Sequence, residues 1–401
     1  MPDIVVVGAG QAGAALVARL RALKFEGSIL LAGEEPSPPY QRPPLSKAYL
    51  LGTMEEERLW LRNRAFYAEA GIELRLGAPV TAIDRAARTV AVGGEAIPYG
   101  RLALTTGSAA RHLPEAAGGG LEGVYTVRTL ADVDRMRPEF RAGRRLVVIG
   151  GGYIGLEAAA VGAKLGLAVT VVEMAPRILQ RVAAPETADW FRALHAAHGV
   201  RILEGVALER LTGEGRVTGA LLADGTHLPA DFVIAGVGIR PVTELAEAAG
   251  LALDNGIAVD ALGQTSDPAI WSAGDCASFP WRGGRLRLES VQNAIDQAEA
   301  VAANMLGAGA PYLPAPWFWS DQFDTKLQIA GLNLGYDRVV TRGPEGGSVS
   351  FWYYRGAELL AVDAVNEPRA YMVGKRLIEA GRSPAPEAVA DAAVPLKSLL
   401  A

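Results

Sequence analysis

The run Ile4-Val5-Val6-Val7-Gly8-Ala9-Gly10-Gln11-Ala12-Gly13, continued by Ala14-Ala15-Leu16-Val17-Ala18-Arg19-Leu20, decides how the rest of the chain is read. Four consecutive β-branched apolar residues predict a buried parallel strand, and the alanine-rich run after the glycines predicts a helix. In such a strand, turn and helix the three glycines have separate tasks. Gly8 permits the tight turn, Gly10 lets the backbone approach a pyrophosphate, and Gly13 lets the helix pack closely on the strand. The helix N-terminus offers unpaired N–H groups and positive dipole to phosphates. A second strand, Ser28-Ile29-Leu30-Leu31-Ala32-Gly33, ends at Glu34, whose carboxylate is suited to ribose hydroxyls.

The same grammar recurs further on. Arg145-Leu146-Val147-Val148-Ile149 enters Gly150-Gly151-Gly152-Tyr153-Ile154-Gly155 and a helix beginning Leu156-Glu157, and the strand Ala168-Val169-Thr170-Val171-Val172 ends at Glu173. Each copy then carries a hairpin, turning at Gly93-Gly94 in the first and at Asp224-Gly225 in the second. Each hairpin is followed by a buried strand, Arg101 to Gly107 and Phe232 to Gly238. Two copies of one plan predict an α/β chain with two Rossmann-like dinucleotide-binding domains. A third feature, Ile270-Trp271-Ser272-Ala273-Gly274-Asp275, presents a carboxylate from a tight turn, suited to a sugar-alcohol chain. Glu289-Ser290-Val291 then opens a helix expected to run to about Leu306. From Trp317 onward an aromatic-dense run and short strands precede a helix over about 370–380, which predicts a smaller C-terminal α+β domain.

Composition narrows the function. The chain has 401 residues and a net charge of −5, so it carries no basic field for nucleic acid. The first strand starts almost at residue 1, and no apolar run approaches the ~18 residues a membrane span needs, so a soluble, cytoplasmic protein without a membrane partner is expected. Cys276 is the single cysteine, which excludes an intrachain disulfide and a CxxC redox pair and predicts a small buried residue. No metal site is expected, and His195 and His198 are read as a solvated helix face. Pro36-Ser37-Pro38-Pro39-Tyr40-Gln41-Arg42-Pro43-Pro44-Leu45-Ser46-Lys47 is too proline-rich for helix interior or central strand. It predicts a rigid loop that holds Arg42 and Lys47 still, closed by a helix that Ser46 caps. Residues 54–70 read as helical.

The two fingerprints, the Gly274-Asp275 turn, the Arg42-to-Lys47 loop and Ala315-Pro316-Trp317-Phe318-Trp319-Ser320-Asp321-Gln322 together resemble the FAD-dependent NADH:ferredoxin reductases of bacterial oxygenase systems. The resemblance spans essentially the whole chain and implies the glutathione-reductase fold, with the NAD domain inserted into the FAD domain. It implies FAD on residues 1–111 and 241–316, NAD on 112–240, and an interface domain over 317–401. Carried over by position, Gly8, Gly10, Gly13, Glu34, Arg42, Lys47, Val80, Thr106, Gly107, Arg128, Asp275, Val291 and Trp319 are the implied FAD contacts. Gly150, Gly152, Tyr153, Ile154, Gly155, Glu173, Gly236 and Gly238 are the implied NAD contacts. Lys47 and Glu157 are the implied catalytic pair, with Glu157 near the nicotinamide.

The implied activity is electron transfer from NADH through FAD to a [2Fe–2S] ferredoxin that feeds a cytochrome P450 or an aromatic-ring oxygenase. Two alternatives stand beside it: an NADH-sensing flavoprotein resembling apoptosis-inducing factor, and a disulfide or peroxide reductase. The latter needs a redox cysteine where this chain has proline, arginine and leucine. Arg282, Arg285 and Arg287 form the densest basic cluster after the Gly274-Asp275 turn and are expected to steer an acidic ferredoxin.

Overall fold

In a computed structural model describing residues 2–344 and 347–400, the opening run forms the strand Ile4–Val7 and the helix Gln11–Ala22. The chain divides into two compact units. The first comprises Met1–Arg42, Glu55–Ala109 and Ile239–Pro314, and the second Pro43–Met54, Ala110–Gly238 and Ala315–Ala401.

The first unit is built on a five-stranded parallel sheet in the order Ile270–Ser272, Arg101–Leu104, Ile4–Val7, Ile29–Ala32, Ile72–Arg75. Ile4–Val7 is central and buried along its whole length, as its unbroken β-branched sequence requires. The helices Gln11–Ala22 and Val291–Met305 cover one face through Leu16, Val17, Leu20, Ala298, Val301 and Ala302. Gly93 and Gly94, both at positive φ, close the hairpin between Thr89–Val92 and Glu95–Pro98. The expected helix over 54–70 is a correction. That stretch holds only a 3₁₀ turn, Glu56–Arg58, and a helix, Arg64–Glu69. Trp60 leaves helical geometry to bridge Tyr40, and the Asn63 side chain accepts the Phe66 N–H to restart the helix.

The second unit repeats the plan with parallel strands in the order Arg201–Glu204, Ala168–Glu173, Arg145–Ile149, Phe232–Ala235, Val124–Tyr125. Its C-terminal part is a five-stranded antiparallel sheet, Trp317–Gln322, Thr325–Gly331, Glu358–Val365, Val349–Arg355, Arg338–Arg342, packed by the helix Pro368–Glu379. Gly374 gives that helix its close approach, since an added side-chain carbon there would lie 2.6 Å from Val362.

A buried polar triad joins this sheet to the helix Pro185–Ala197. The Asp363 carboxylate accepts from Tyr353 and, at 2.9 Å, from Thr187, while the Ala184 N–H donates to the Tyr353 hydroxyl at 3.0 Å. Burial pushes the Asp363 carboxyl up to about 6 despite these donors. The native protein therefore holds this proton more tightly than the unfolded chain, whose carboxyl titrates near its ordinary value. Stability contributed by Asp363 is lost as pH rises from about 4 to about 6, by up to about 1.4 kcal/mol per pH unit. Denaturant unfolding of Asp363→Asn over that range should lack this component of the slope. A slope equal to wild type would remove Asp363 as its source.

Candidate functional site

Both glycine loops are shaped by the same two constraints. Gly8 and Gly150 sit at φ of +108° and +106°, and an added side-chain carbon would lie 2.2 Å from the Thr105 carbonyl oxygen and 2.4 Å from that of Gly236, respectively. On Gly13 it would lie 2.1 Å from the Gly8 oxygen, and on Gly155 2.2 Å from the Gly150 oxygen. These four glycines are required by the fold itself. Gly10 and Gly152 differ: a carbon on either meets nothing within 4 Å. They cap the helices Gln11–Ala22 and Tyr153–Lys164 without any side-chain hydrogen bond, so the first-turn N–H groups face open space. Tyr153, the first residue of its helix, has a buried hydroxyl with no hydrogen-bond partner, and burial pushes its phenol well above the usual range. Two open cradles with bare helix N-termini fit a dinucleotide diphosphate in each unit.

In the first unit Glu34 is exposed at the end of its strand, while its neighbour Glu35 takes the ordered role. Arg42 donates to Glu35 at 2.6 Å and to the Tyr40 hydroxyl at 3.0 Å. Burial works against the Arg42 charge, but Tyr40 and Glu35 outweigh it and hold its pKa above the ordinary value. The Asp275 carboxylate accepts from Ser108 at 2.6 Å, from a turn whose Gly274 is at φ +85°. Thr106 donates to the Val242 carbonyl at 2.6 Å, and Gly107 follows at φ +70°. Val80 is half-buried at the start of the largely exposed strand Val80–Asp84, and Val291 is the first residue of its helix, whose N-cap Ser290 accepts the Asn293 N–H.

In the second unit both oxygens of Glu173 are engaged by backbone N–H groups, those of Gly151 and Ala175, each at 2.7 Å. Arg177, four residues on, donates to the Ala183 carbonyl at 2.8 Å, so its charge is committed to its own loop. Ile154 is exposed, Gly236 packs against Ile149 and Gly155, Gly238 is at φ +100°, and Arg128 is half-buried ahead of the helix Leu130–Met136.

Lys47 and Glu157 meet. The Glu157 carboxylate is 4% exposed, and its Oε2 accepts from Lys47 at 2.7 Å and from the Ser46 hydroxyl at 2.5 Å. Its Oε1 accepts from the Ser320 hydroxyl at 2.6 Å. The expected capping role for Ser46 is therefore a correction, since its proton is drawn to the charged acceptor. Pro43–Met54 is further pinned by Tyr49, which donates to Asp134 at 2.8 Å and lies under the Arg137 guanidinium. A cleft of about 210 Å³ lined by Lys47, Glu157, Lys164, Asp321 and Phe323 opens beside the pair.

The strand Trp317–Gln322 alternates faces. Ser320 and Gln322 are buried on one side, and Trp319 stays half-buried on the other with its ring 5.5 Å from Trp317. The buried face runs along the helix Tyr153–Lys164, with Phe318 against Tyr153 at 5.1 Å and Ser320 on Glu157. Four helical residues rise about 6 Å and two strand residues about 6.6 Å, so the two elements stay in step.

One further expectation is corrected. His195 is fully buried, with Nε2 2.8 Å from Gln322 Oε1, because Phe323 and Gln322 cover that side of the helix Pro185–Ala197. His198 is exposed and stacks on Phe323 at 3.7 Å. The arginines expected to steer a ferredoxin each make contacts within the first unit. Arg285 donates to Val259 and Ser278, Arg287 pairs with Glu289 at 2.7 Å and donates to the Asp275 carbonyl, and Arg282 lies over the Trp281 ring. Cys276 is buried, its Sγ directed at the Leu104 and Ala273 carbonyls.

The fold and the paired cradles define a two-nucleotide oxidoreductase. The chain belongs to the pyridine nucleotide-disulphide oxidoreductase family, which it matches over residues 2–298, and it carries the reductase C-terminal domain over 317–400. It is 44% identical to the 5,5′-dehydrodivanillate O-demethylase ferredoxin reductase subunit of a Sphingobium species, over 100% of this chain and 98% of that protein. It is 43% identical to putidaredoxin reductase of Pseudomonas putida, over 100% and 97%. The solved covalent putidaredoxin reductase–putidaredoxin complex matches with a TM-score of 0.96 at 43% identity, covering 100% of this chain and 98% of that one.

The glycine geometry makes a sharp prediction. Gly10→Val should fold with a near-native melting temperature yet be isolated largely free of bound dinucleotide, because only the cofactor competes for that space. Gly13→Val should fail to fold. Full cofactor content in Gly10→Val, read from its absorbance, would refute the assignment of this cradle.

Proposed function

We propose that this chain is a ferredoxin reductase that carries electrons from NADH through non-covalent FAD to a [2Fe–2S] ferredoxin serving a cytochrome P450 or an aromatic-ring oxygenase. The observation that carries this reading is end-to-end similarity, at 43–44% identity, to reductases named for that task. The single buried cysteine supports it, since a disulfide or peroxide reductase needs a redox thiol. A cytoplasmic location belongs to the same proposal; among the described residues no helix is long and apolar enough to cross a membrane.

FAD, when bound, accepts an electron pair from NADH and releases electrons singly, as a [2Fe–2S] acceptor requires. For its binding we assign residues 1–111 and 241–316, with Gly8, Gly10, Gly13, Glu34, Arg42, Val80, Thr106, Gly107, Asp275 and Val291 as contacts. Lys47, Arg128 and Trp319 are assigned to the same cofactor. Within the first of those spans, Pro43–Met54 packs with the second unit. Residues 112–240 are assigned to NADH through Gly150, Gly152, Tyr153, Ile154, Gly155, Glu173, Gly236 and Gly238, and 317–401 form the interface domain. Glu157 holds Lys47 in place as a cation. A buried ion pair contributes little net stability, whereas removing one partner costs about 3–5 kcal/mol. The pair is therefore better explained by the charge it positions than by the stability it adds.

Anaerobic mixing of the NADH-reduced protein with a [2Fe–2S] ferredoxin should bleach the cluster absorbance over many turnovers. Rapid flavin reduction with an inert ferredoxin would favour the NADH-sensor reading instead.

NADH should be preferred to NADPH, because a 2′-phosphate would meet the Glu173 carboxylate while Arg177 is held by its own loop. Charge-assisted hydrogen bonds are worth about 1.5–3 kcal/mol, so Glu173→Ala should raise the NADH KM about 10- to 100-fold. Equal kcat/KM for the two nucleotides in wild type would contradict this. Lys47→Ala should slow flavin reduction more than it weakens NADH binding, and rapid-mixing absorbance separates the two. A change in binding alone would make Lys47 a docking residue.

A further inference from the structure

Glu157 ends a chain of hydrogen bonds whose direction is fixed throughout. Its carboxylate can only accept, so the one Ser320 hydroxyl proton points at Oε1 across 2.6 Å. Ser320 must then accept from its other neighbour, the Gln322 amide nitrogen at 3.2 Å. That orients the Gln322 amide oxygen toward His195, 2.8 Å away, so His195 Nε2 must carry the proton. His195 Nδ1 is left as a buried lone pair with no partner. Ser320, Gln322 and His195 are all essentially solvent-free. Burial lowers the His195 pKa to about 4, so the ring is neutral and supplies a single donor.

We infer that His195, Gln322 and Ser320 form a one-directional hydrogen-bond chain that positions Glu157 and, through it, Lys47 for NADH oxidation. All its dipoles point their positive ends toward the Glu157 charge, and in a low-dielectric interior such a chain is reinforced at each link. The three are positioning residues: none is assigned to substrate or cofactor, and each acts through the next. Two segments distant in sequence, the helix carrying His195 and the strand carrying Trp319, thereby fix the carboxylate that holds Lys47.

This rests on Lys47 acting in flavin reduction, and the experiment separates the two claims. In the wild-type holoenzyme, nitrogen NMR of histidine-labelled protein should show His195 as the neutral Nε2–H tautomer at pH 7, assigned by its loss in His195→Gln. An Nδ1–H tautomer or a charged ring in the wild-type protein would overturn the inference. In rapid mixing with NADH, Ser320→Ala should lower the limiting rate of flavin reduction about tenfold or more, as expected for losing a hydrogen bond to a charged group. The apparent NADH Kd should change less than about twofold. In the Glu157→Gln background the same substitution should cost nothing further, because a residue acting through Glu157 has no effect once that charge is gone. An unchanged rate in Ser320→Ala, or full additivity with Glu157→Gln, overturns the inference while leaving the proposed function intact if Lys47→Ala is slow. A normal rate in Lys47→Ala overturns both this inference and the assigned role of Lys47.

Discussion

A carboxylate that is 4% exposed and accepts hydrogen bonds from Ser46, Lys47 and Ser320 is the constraint on which the second unit depends. A buried charge is tolerated only when its oxygens are satisfied, and Glu157 satisfies them with groups from two other segments. Pro43–Met54 contributes Ser46 and Lys47, and the strand Trp317–Gln322 contributes Ser320. Each segment is thus tied to the helix Tyr153–Lys164 at one point of high energetic consequence.

The helix that carries Glu157 also begins at the open cradle of Gly152. One rigid element therefore links the open N-terminal cradle, Tyr153 and, one turn later, the ion pair with Lys47. The near match between one helical turn and two strand residues lets the aromatic strand follow this element, placing Phe318 on Tyr153 and Ser320 on Glu157. Position along the helix becomes position along the site. The outward alternation of the same strand leaves Trp319 and Trp317 on the opposite face.

Much of this was legible in the sequence where the signal is local. The β-branched runs, the glycine spacings and the two-glycine hairpin turn are short-range patterns, and the parallel sheets follow from them. Contacts between segments far apart in sequence were not legible. Ser46 sits in a context that suits a helix cap, and its true partner lies 111 residues away. His195 has polar neighbours on its own helix and reads as solvated until Gln322, 127 residues on, covers it. In the run Trp317–Gln322 three aromatics are followed by three polar residues, a pattern that does not show which face is buried, so the inward placement of Ser320 and Gln322 is visible only in the structure. The arginines near Gly274-Asp275 read as a charge cluster, but sequence does not show the carbonyls, the carboxylate and the ring that each of them contacts.

The central claim is that Glu157 holds two separate segments in place, and hydrogen exchange tests it most directly. In Glu157→Ala, peptides covering Pro43–Met54 and Trp317–Gln322 should lose protection together, while the strand Ile4–Val7 exchanges as in wild type. Unchanged protection in both segments would contradict the account.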